Sequence, residues 1–592
     1  MAEPIIKVSG LTYYYQNEAA PALRDVNLEV YPGEFLLLIG PSGCGKTTLA
    51  LAMNGIIPLV MGGRIKGRVF VDGVDTRSSS VYELGTKVGI VFQDPDSQLC
   101  NLYVQEEVGF GPANLKMPRD EILRRVDEAL AQVGESAIKH KLIYEISGGE
   151  KHRVAIASIL AMNPRIIILD EPTANLDPLG AVEVFGLMKR LNRELGVTIV
   201  VIEHNVDPVM CHADRVVLME NGTVVYAGEP RQVIQERGRF VMDTMGLRIP
   251  QVCQLALALA DKGVDLEPFP LTVAEAAQAL TSLTPCLGFH PAPALPDKPA
   301  GEAVIKIEGL SFAYPNGTQA VKDVSLEIHR GDIVSLIGQN GSGKTTLASL
   351  LVGLNKPATG SGTVCGLSLS TASIRELTSH IGYVFQYPEY QFVEDTVYKE
   401  VAFGLQAQRV PPAEIAARVT KTLNLLGVET MKDKHPLRLS MGQKRRLSVA
   451  TMLILDTEIL ILDEPTTGQD RRNIDNIMEI MCAANRKGTT IILITHDMNL
   501  AVRYSTRFLV MDQGELVFQG SRSEFFRQFR QIRSSVLVRP EIYELANKLR
   551  ENGLTLVPQA YTVRDFVDAV TLCQPERPST GAAATGTGGE AA

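Results

Sequence analysis

Two nine-residue stretches carry the residue types and spacing needed to hold phosphate groups. They are Gly40-Pro41-Ser42-Gly43-Cys44-Gly45-Lys46-Thr47-Thr48 and Gly338-Gln339-Asn340-Gly341-Ser342-Gly343-Lys344-Thr345-Thr346. Each fits G-x-x-x-x-G-K-[ST], follows a short apolar run (Phe35 to Ile39, Ile333 to Ile337) and precedes a segment that reads as helix. Glycines let the backbone turn tightly and aim its N–H groups at β- and γ-phosphates, while the following helix presents its positive end. Lys46 and Lys344 add a point charge. Thr47 and Thr345 offer hydroxyls to a phosphate-bound Mg2+.

Two apolar runs end in paired carboxylates, Arg165-Ile166-Ile167-Ile168-Leu169-Asp170-Glu171 and Glu458-Ile459-Leu460-Ile461-Leu462-Asp463-Glu464. A continuous β-branched and leucine run suits a strand buried on both faces of a parallel sheet. Ending it in two acids is costly unless a cation awaits them. Nucleotide-bound Mg2+ is such a cation, so Asp170 and Asp463 read as metal-side carboxylates and Glu171 and Glu464 as bases for an attacking water. His204 and His496 each follow a further apolar strand, Thr198 to Ile202 and Thr490 to Ile494, and are expected at the γ-phosphate. Tyr15 and Tyr314 stand between two early strand-like segments, where an aromatic face could stack on a base.

The elements that position these residues occur twice. Gly40 and Gly338 are 298 positions apart (338 − 40), and Asp170 and Asp463 are 293 apart (463 − 170). Val91-Phe92-Gln93 recurs as Val384-Phe385-Gln386, and Ser147-Gly148-Gly149-Glu150 as Ser440-Met441-Gly442-Gln443. Such self-similarity signals duplication and fusion. Ile122, Val126, Leu130 and Val133 predict an amphipathic helix, and Ile415, Val419, Leu423 and Leu426 repeat its spacing. Each half ends in a tail. Helices are expected from Pro250 to Ala260 and from Pro540 to Leu549, with proline at the first position. Capping boxes are expected at Thr272-Val273-Ala274-Glu275 and Thr562-Val563-Arg564-Asp565.

At 592 residues the chain exceeds a single core, and 21% charged with 45% hydrophobic residues describes a folded protein. A net charge of −9 gives no broad footprint for nucleic acid, which is not expected as a partner. The eight cysteines show no C-x-x-C pair and no histidines at metal spacing, so reduced thiols in a cytosolic protein are expected and a structural zinc site is not. The N-terminus lacks a signal-like core, and no apolar run approaches the roughly 18 residues of a membrane span. Pro285, Pro291, Pro293, Pro296 and Pro299 predict a stiff linker, and the Gly, Ala and Thr-rich end from Gln574 predicts disorder.

Taken together, the chain resembles the nucleotide-binding domains of ABC ATPases, twice over. The Ser-Gly-Gly-Glu stretch between the glutamine loop and the Asp-Glu strand is the most specific element. The resemblance implies an α/β fold: two P-loop NTPase domains, each with a helical subdomain and a short C-terminal helical tail. The implied boundaries are 1–230 for the first ATP-binding domain, 231–283 for its tail, 284–303 for the linker, 304–522 for the second domain, 523–573 for its tail and 574–592 for a disordered end.

In that family the two domains face head to tail around ATP. One site would then use Tyr15, Gly40, Ser42, Gly43, Gly45, Lys46, Thr47, Thr48, Gln93, Asp170, Glu171 and His204 with Ser440 and Gly442. The other would use Tyr314, Gly338, Asn340, Gly341, Gly343, Lys344, Thr345, Thr346, Gln386, Asp463, Glu464 and His496 with Ser147, Gly148 and Gly149. Mg2+ would be held by Thr47, Gln93 and Asp170, and by Thr345, Gln386 and Asp463. The glutamines would also link nucleotide to a moving partner, and Asp177 and Asp470 fall where the family has the loop between its sites.

Met441 departs from the usual glycine. Any positive φ there would cost about 1 kcal/mol or more, which leads to the expectation that the site containing Lys46 hydrolyses more slowly.

Phe92-Gln93-Asp94-Pro95-Asp96-Ser97-Gln98 and Phe385-Gln386-Tyr387-Pro388-Glu389-Tyr390-Gln391, with the acidic stretches after them and the tails, look like the ATPases of energy-coupling factor (ECF) importers of vitamins and metals. That likeness implies a transmembrane coupling protein and a small substrate-binding membrane protein as partners, and a place at the cytoplasmic face of the membrane. The acidic stretches would edge the groove for coupling helices. Another importer class, or a soluble tandem ABC factor acting on ribosomes or DNA, are the alternatives.

Overall fold

The structure, a computed structural model, describes residues 3–173, 176, 178–204, 206–283, 287–290, 301–466, 469, 471–532, 537–554, 557 and 559–572. Asp177, Asp470, most of the expected linker and the end from Gln574 lie outside the described residues. The chain forms two compact units, Met1–Pro250 with Leu295–Pro540, and Gln251–Ala294 with Glu541–Ala592.

In the larger unit each half has a six-stranded core sheet. In the first half its spatial order is Thr223–Gly228, Arg215–Glu220, Phe35–Ile39, Thr198–Ile202, Ile166–Asp170, Val88–Val91. The second half repeats it as Glu515–Ser521, Arg507–Asp512, Ile333–Gly338, Thr490–Ile494, Ile459–Asp463, Ile381–Val384. All neighbours pair in parallel except the outermost hairpin. Ile166 to Leu169 are fully buried, as a parallel strand covered on both faces requires. Parallel pairing also sends the C-terminal ends of the five parallel strands of each sheet to one edge. The two glycine-rich loops, the glutamine loops, the Asp-Glu pairs and the histidines all leave from it.

A four-stranded antiparallel sheet accompanies each core, built in the first half from Ile6–Tyr14, Leu23–Val30, Arg64–Val71 and Val74–Asp75. The expected amphipathic helices form as Arg119–Gln132 and Pro412–Leu425. They bury Val126 and Leu130, and Val419 and Leu423, against the helices of their own subdomains.

In the smaller unit both tails pack together. Its helices are Gln251–Ala260, Val273–Ser282, Glu541–Glu551 and Val563–Ala569. Pro250 and Pro540 precede their helices rather than occupying the first turn. Thr562 and Asp565 make both bonds of a capping box, whereas Glu275 reaches the N–H of Leu271 instead of that of Thr272. Within the expected linker, Leu287–Phe289 is a strand, antiparallel to Val570–Leu572. The Pro-rich composition hid it because three residues are too few to show a period.

Candidate nucleotide sites

Both phosphate loops have the backbone their glycines permit. Gly45 (φ 103°) and Gly343 (φ 99°) are left-handed, and a Cβ there would stand 2.7 Å from the carbonyl oxygen of Ala22 and 2.2 Å from that of Ala320. Helices Lys46–Asn54 and Lys344–Leu351 then open with no side-chain cap, leaving their first N–H groups for a ligand. The Lys46 ammonium donates to the carbonyls of Gly40 (2.8 Å) and Pro41 (3.1 Å), and Lys344 does the same with Gly338 and Gln339. Tyr15 and Tyr314 reach the loops through hydroxyl contacts with Thr48 (2.9 Å) and Thr346 (3.0 Å).

Asp170 and Asp463 are buried at the strand ends, 4% and 1% exposed. Burial raises both carboxyl pKa values, opposed by bonds from Thr47 in the first site and from Tyr383 and Thr345 in the second. Thr345 stands 3.0 Å from Asp463 Oδ2 and Tyr383 2.7 Å from the same oxygen. Oδ1 of each aspartate is buried without a partner. An orphaned carboxylate oxygen costs free energy and so marks a place for a ligand. A hydroxyl, a buried carboxylate and an unpaired anionic oxygen beside a phosphate cradle fit Mg2+ carried by nucleotide. Gln93 is exposed and Gln386 half-buried on the following loops, and neither amide side chain hydrogen-bonds a described residue.

Glu171 and Glu464 adopt φ of 51° and 45°, a left-handed conformation that costs a non-glycine residue about 1–2 kcal/mol. Their N–H groups donate to the carbonyls of Ile202 and Ile494, both at 2.9 Å, which holds the strained turn in place. Glu171 Oε1 lies 2.7 Å from His204 Nε2, and Glu464 Oε1 lies 2.9 Å from His496 Nδ1. Burial would raise the Glu171 pKa, but the bond and charge of His204 bring it below the usual value. Burial disfavours charge on His496, yet Glu464 outweighs it and raises the imidazole pKa.

Ser147 and Ser440 cap helices Gly148–Leu160 and Met441–Leu453 in complete capping boxes with Glu150 and Gln443. Among the described residues their hydrogen bonds stay within those caps. Gly148 and Met441 both begin helices, and neither has positive φ. A Cβ on Gly148 would meet nothing within 4 Å. Backbone strain at Met441 is therefore absent, which removes the stated reason for a slower Lys46 site.

The family model for ABC transporters matches residues 23–174 and 321–467. This chain belongs to the ABC transporter ATP-binding proteins. A Methanosarcina mazei protein provisionally named an ABC transporter ATP-binding protein is 38% identical over 573 residues, covering 95% of this chain and 97% of its own. A Bacillus subtilis protein, YkoD, provisionally named an HMP/thiamine import ATP-binding protein, is 38% identical across 92% of this chain and 96% of its own. Among solved structures, cbiO1 of Clostridium perfringens, described as part of the ABC transporter complex cbiONQ, is 39% identical. It covers 43% of this chain and 98% of its own, with a TM-score of 0.37. The two domains of this ABC protein are ATPase domains that bind ATP.

Around these ABC sites stand residues whose part the sequence did not reveal. Gln98 braces the first glutamine loop, accepting from the N–H of Phe92 (3.0 Å) and donating to the carbonyl of Ile90 (3.2 Å). Gln391 donates to the carbonyl of Ser448 (3.0 Å) in the second half. Glu107 and Glu400, expected to edge a groove, are instead buried and accept from the N–H groups of Cys100 and Asn101, and of Val393 and Glu394. Arg445 is 1% exposed and donates to the carbonyls of Phe385, Gln386 and Glu464. Across the halves, Arg248 pairs with Asp497, the neighbour of His496, at 2.6 Å. Arg472 also donates to the Asp243 carbonyl (2.7 Å), and the Arg471 N–H to that of Gly246 (3.0 Å). The duplicated Phe-Gln-x-Pro-x-x-Gln pattern was a signal for the glutamines. Nothing local announced Arg248.

Proposed function

We propose that this ABC ATPase is the energy-coupling subunit of an ECF-type importer, peripheral to the cytoplasmic face of the membrane, driving uptake of a vitamin, a vitamin precursor or a transition-metal ion. The observation that carries the reading is the surface beside the two glutamine loops. Gln98 and Gln391 pin each loop from within, and a large apolar rim is left outside: Leu102 and Val393 are both 67% exposed, Tyr390 78%, Phe110 48% and Phe403 47%. Exposed apolar surface of this kind suits helix ends of a membrane partner. The name of YkoD supports an importer and, within the range of cargo, HMP or thiamine. No described helix is long and apolar enough to cross a membrane. In this reading a transmembrane coupling protein and a small substrate-binding membrane protein carry the transport.

In this reading the site residues keep their sequence-derived assignments, while the tails begin at Gln251 and Glu541 rather than at 231 and 523. Ser440 and Gly442 complete the Lys46 site, and Ser147, Gly148 and Gly149 the Lys344 site; the contacts between Arg248 and Asp497 and between Arg472 and Asp243 support pairing of the halves. Glu171 and Glu464 orient the attacking water and take its proton, while His204 and His496 hold both the glutamate and the γ-phosphate. Lys46 and Lys344 neutralise phosphate charge, and Thr47, Asp170, Thr345 and Asp463, with Gln93 and Gln386, hold Mg2+. Bound Mg2+ supplies further charge neutralisation.

Affinity purification of the tagged chain from detergent-solubilised cells tests the proposal. A multi-spanning protein together with a small, strongly apolar membrane protein is the expected recovery. Ribosomal proteins or nucleic acid in their place would overturn the importer reading and favour a soluble factor.

A further inference from the structure

At the edge of the second core sheet opposite its ATP site, three residues far apart in sequence converge. Cys365 occupies the turn after strand Thr359–Val364, at φ 48°. His380 and Glu458 immediately precede strands Ile381–Val384 and Ile459–Asp463, whose parallel register pairs Ile381 with Ile459. Their ligand atoms, one thiol sulfur, one imidazole nitrogen and one carboxylate oxygen, all lie within 4.8 Å of one another. His380 Nδ1 is 2.7 Å from Glu458 Oε1, and Arg330 holds the other oxygen, Oε2, at 2.5 Å. All three residues are half-exposed, so the place is open to solvent. Five residues of strand, about 17 Å, separate it from Asp463.

The same place in the first half is built differently. Asp72, Lys87 and Arg165 stand at the matching positions, and Asp72 has the same φ of 48°. There one carboxylate is shared by two cations, Lys87 at 3.0 Å and Arg165 at 2.6 Å. That cluster carries a net positive charge, and its single carboxylate is already taken up by both cations. In the second half all three positions carry groups that bind soft or borderline cations.

We propose that Cys365, His380 and Glu458 form a Zn2+ site in the second half. Thiolate, imidazole and carboxylate are the ligand types of tetrahedral zinc, and a fourth position facing solvent is left for water. Two ligands each about 2.0–2.1 Å from zinc at a tetrahedral angle stand about 3.3 Å apart, so His380 and Glu458 need separate by only a fraction of an ångström. Arg330 fixes the second carboxylate oxygen and thereby aims the first, as an outer partner does at zinc sites. Without metal, burial and then the Glu458 charge push the Cys365 thiol up to about 11; binding releases its proton to water and leaves thiolate on zinc. The bound ion joins the antiparallel sheet, through Cys365, to the core sheet. The sequence showed no such site because register, not spacing, assembles it.

The test is titration of the purified full chain with Co2+ alone as a spectroscopic stand-in, followed by competition with Zn2+. One equivalent should give a thiolate-to-cobalt charge-transfer band and tetrahedral d–d bands, both displaced by Zn2+. Cys365→Ser should abolish the charge-transfer band and leave basal ATPase unchanged. The combined variant Cys365→Asp, His380→Lys and Glu458→Arg copies the first half's ion-pair cluster and should fold without binding Co2+. Absence of the band in the parent chain, or its retention in either variant, overturns the proposal.

Discussion

The two ATP sites share a cradle but differ in what braces it. In the second half, Arg445 ties the carbonyls of Phe385, Gln386 and Glu464 to the helix that begins with the Ser440 cap. The matching residue in the first half is His152, which is buried with neither ring nitrogen bonded, and burial lowers its pKa. Tyr383 donates to Asp463, where the first half has the apolar Ile90. Asp497 beside His496 is held by Arg248 from the other half. The Glu464 backbone and the Asp463 carboxylate of the second site are thus each fixed by an additional partner, whereas in the first site it is the His204 N–H that gains one, from Glu203. Duplication preserved the chemistry and let its supports diverge. Preorganised groups lose less on reaching the transition state, so the site of Lys344 and Glu464 is expected to hydrolyse ATP faster.

The largest effect should come from removing that brace. Arg445→Ala leaves buried carbonyls unpaired and a cavity, and should destabilise the protein by about 3–4 kcal/mol in denaturant unfolding. His152→Ala loses no hydrogen bond and should cost less than half as much. Equal losses would show that the two helices are held alike.

A smaller loss is expected from Arg248→Ala, about 2–3 kcal/mol near pH 7, because it strands the Asp497 carboxylate. Burial would raise the Asp497 carboxyl, but Arg248 holds its pKa below the usual value. That stabilisation is present above the unfolded value of about 3.8 and disappears as pH falls through the lower folded value. Unfolding curves of parent and variant should therefore converge in acid. A gap independent of pH would remove Arg248 from the account.

These two contacts also mark how far the sequence was legible. The glycine-rich loops, the Asp-Glu strands and the helices with apolar residues every three or four positions follow local rules, and the fold places them as expected. Arg248 and Asp497 lie in different halves, and no periodicity links them. Glu107 and Glu400 read as surface acids because charge is the usual mark of solvent, yet each anchors a loop by accepting backbone N–H groups. Leu287–Phe289 gains its strand from a partner at the other end of the chain.

The smallest of these effects concerns Glu203, which precedes His204 where the second half has Thr495. Glu203 is 2% exposed and accepts from the Thr173 N–H and hydroxyl and from the His204 N–H. Burial pushes its pKa up to about 7 despite those bonds. A raised carboxyl favours the folded state fully below the unfolded value of about 4.5, and the advantage is lost as pH rises through about 7. Glu203→Gln should gain about 1–2 kcal/mol relative to the parent between pH 5 and pH 8. A constant difference across that range would mean that Glu203 does not titrate there.

The difference between the sites is tested most directly by steady-state ATPase of Glu171→Gln and Glu464→Gln, each in the full chain with the other glutamate intact. The account predicts that Glu464→Gln removes the larger share of turnover, since it disables the braced site. Equal residual rates, or a greater loss in Glu171→Gln, would contradict it.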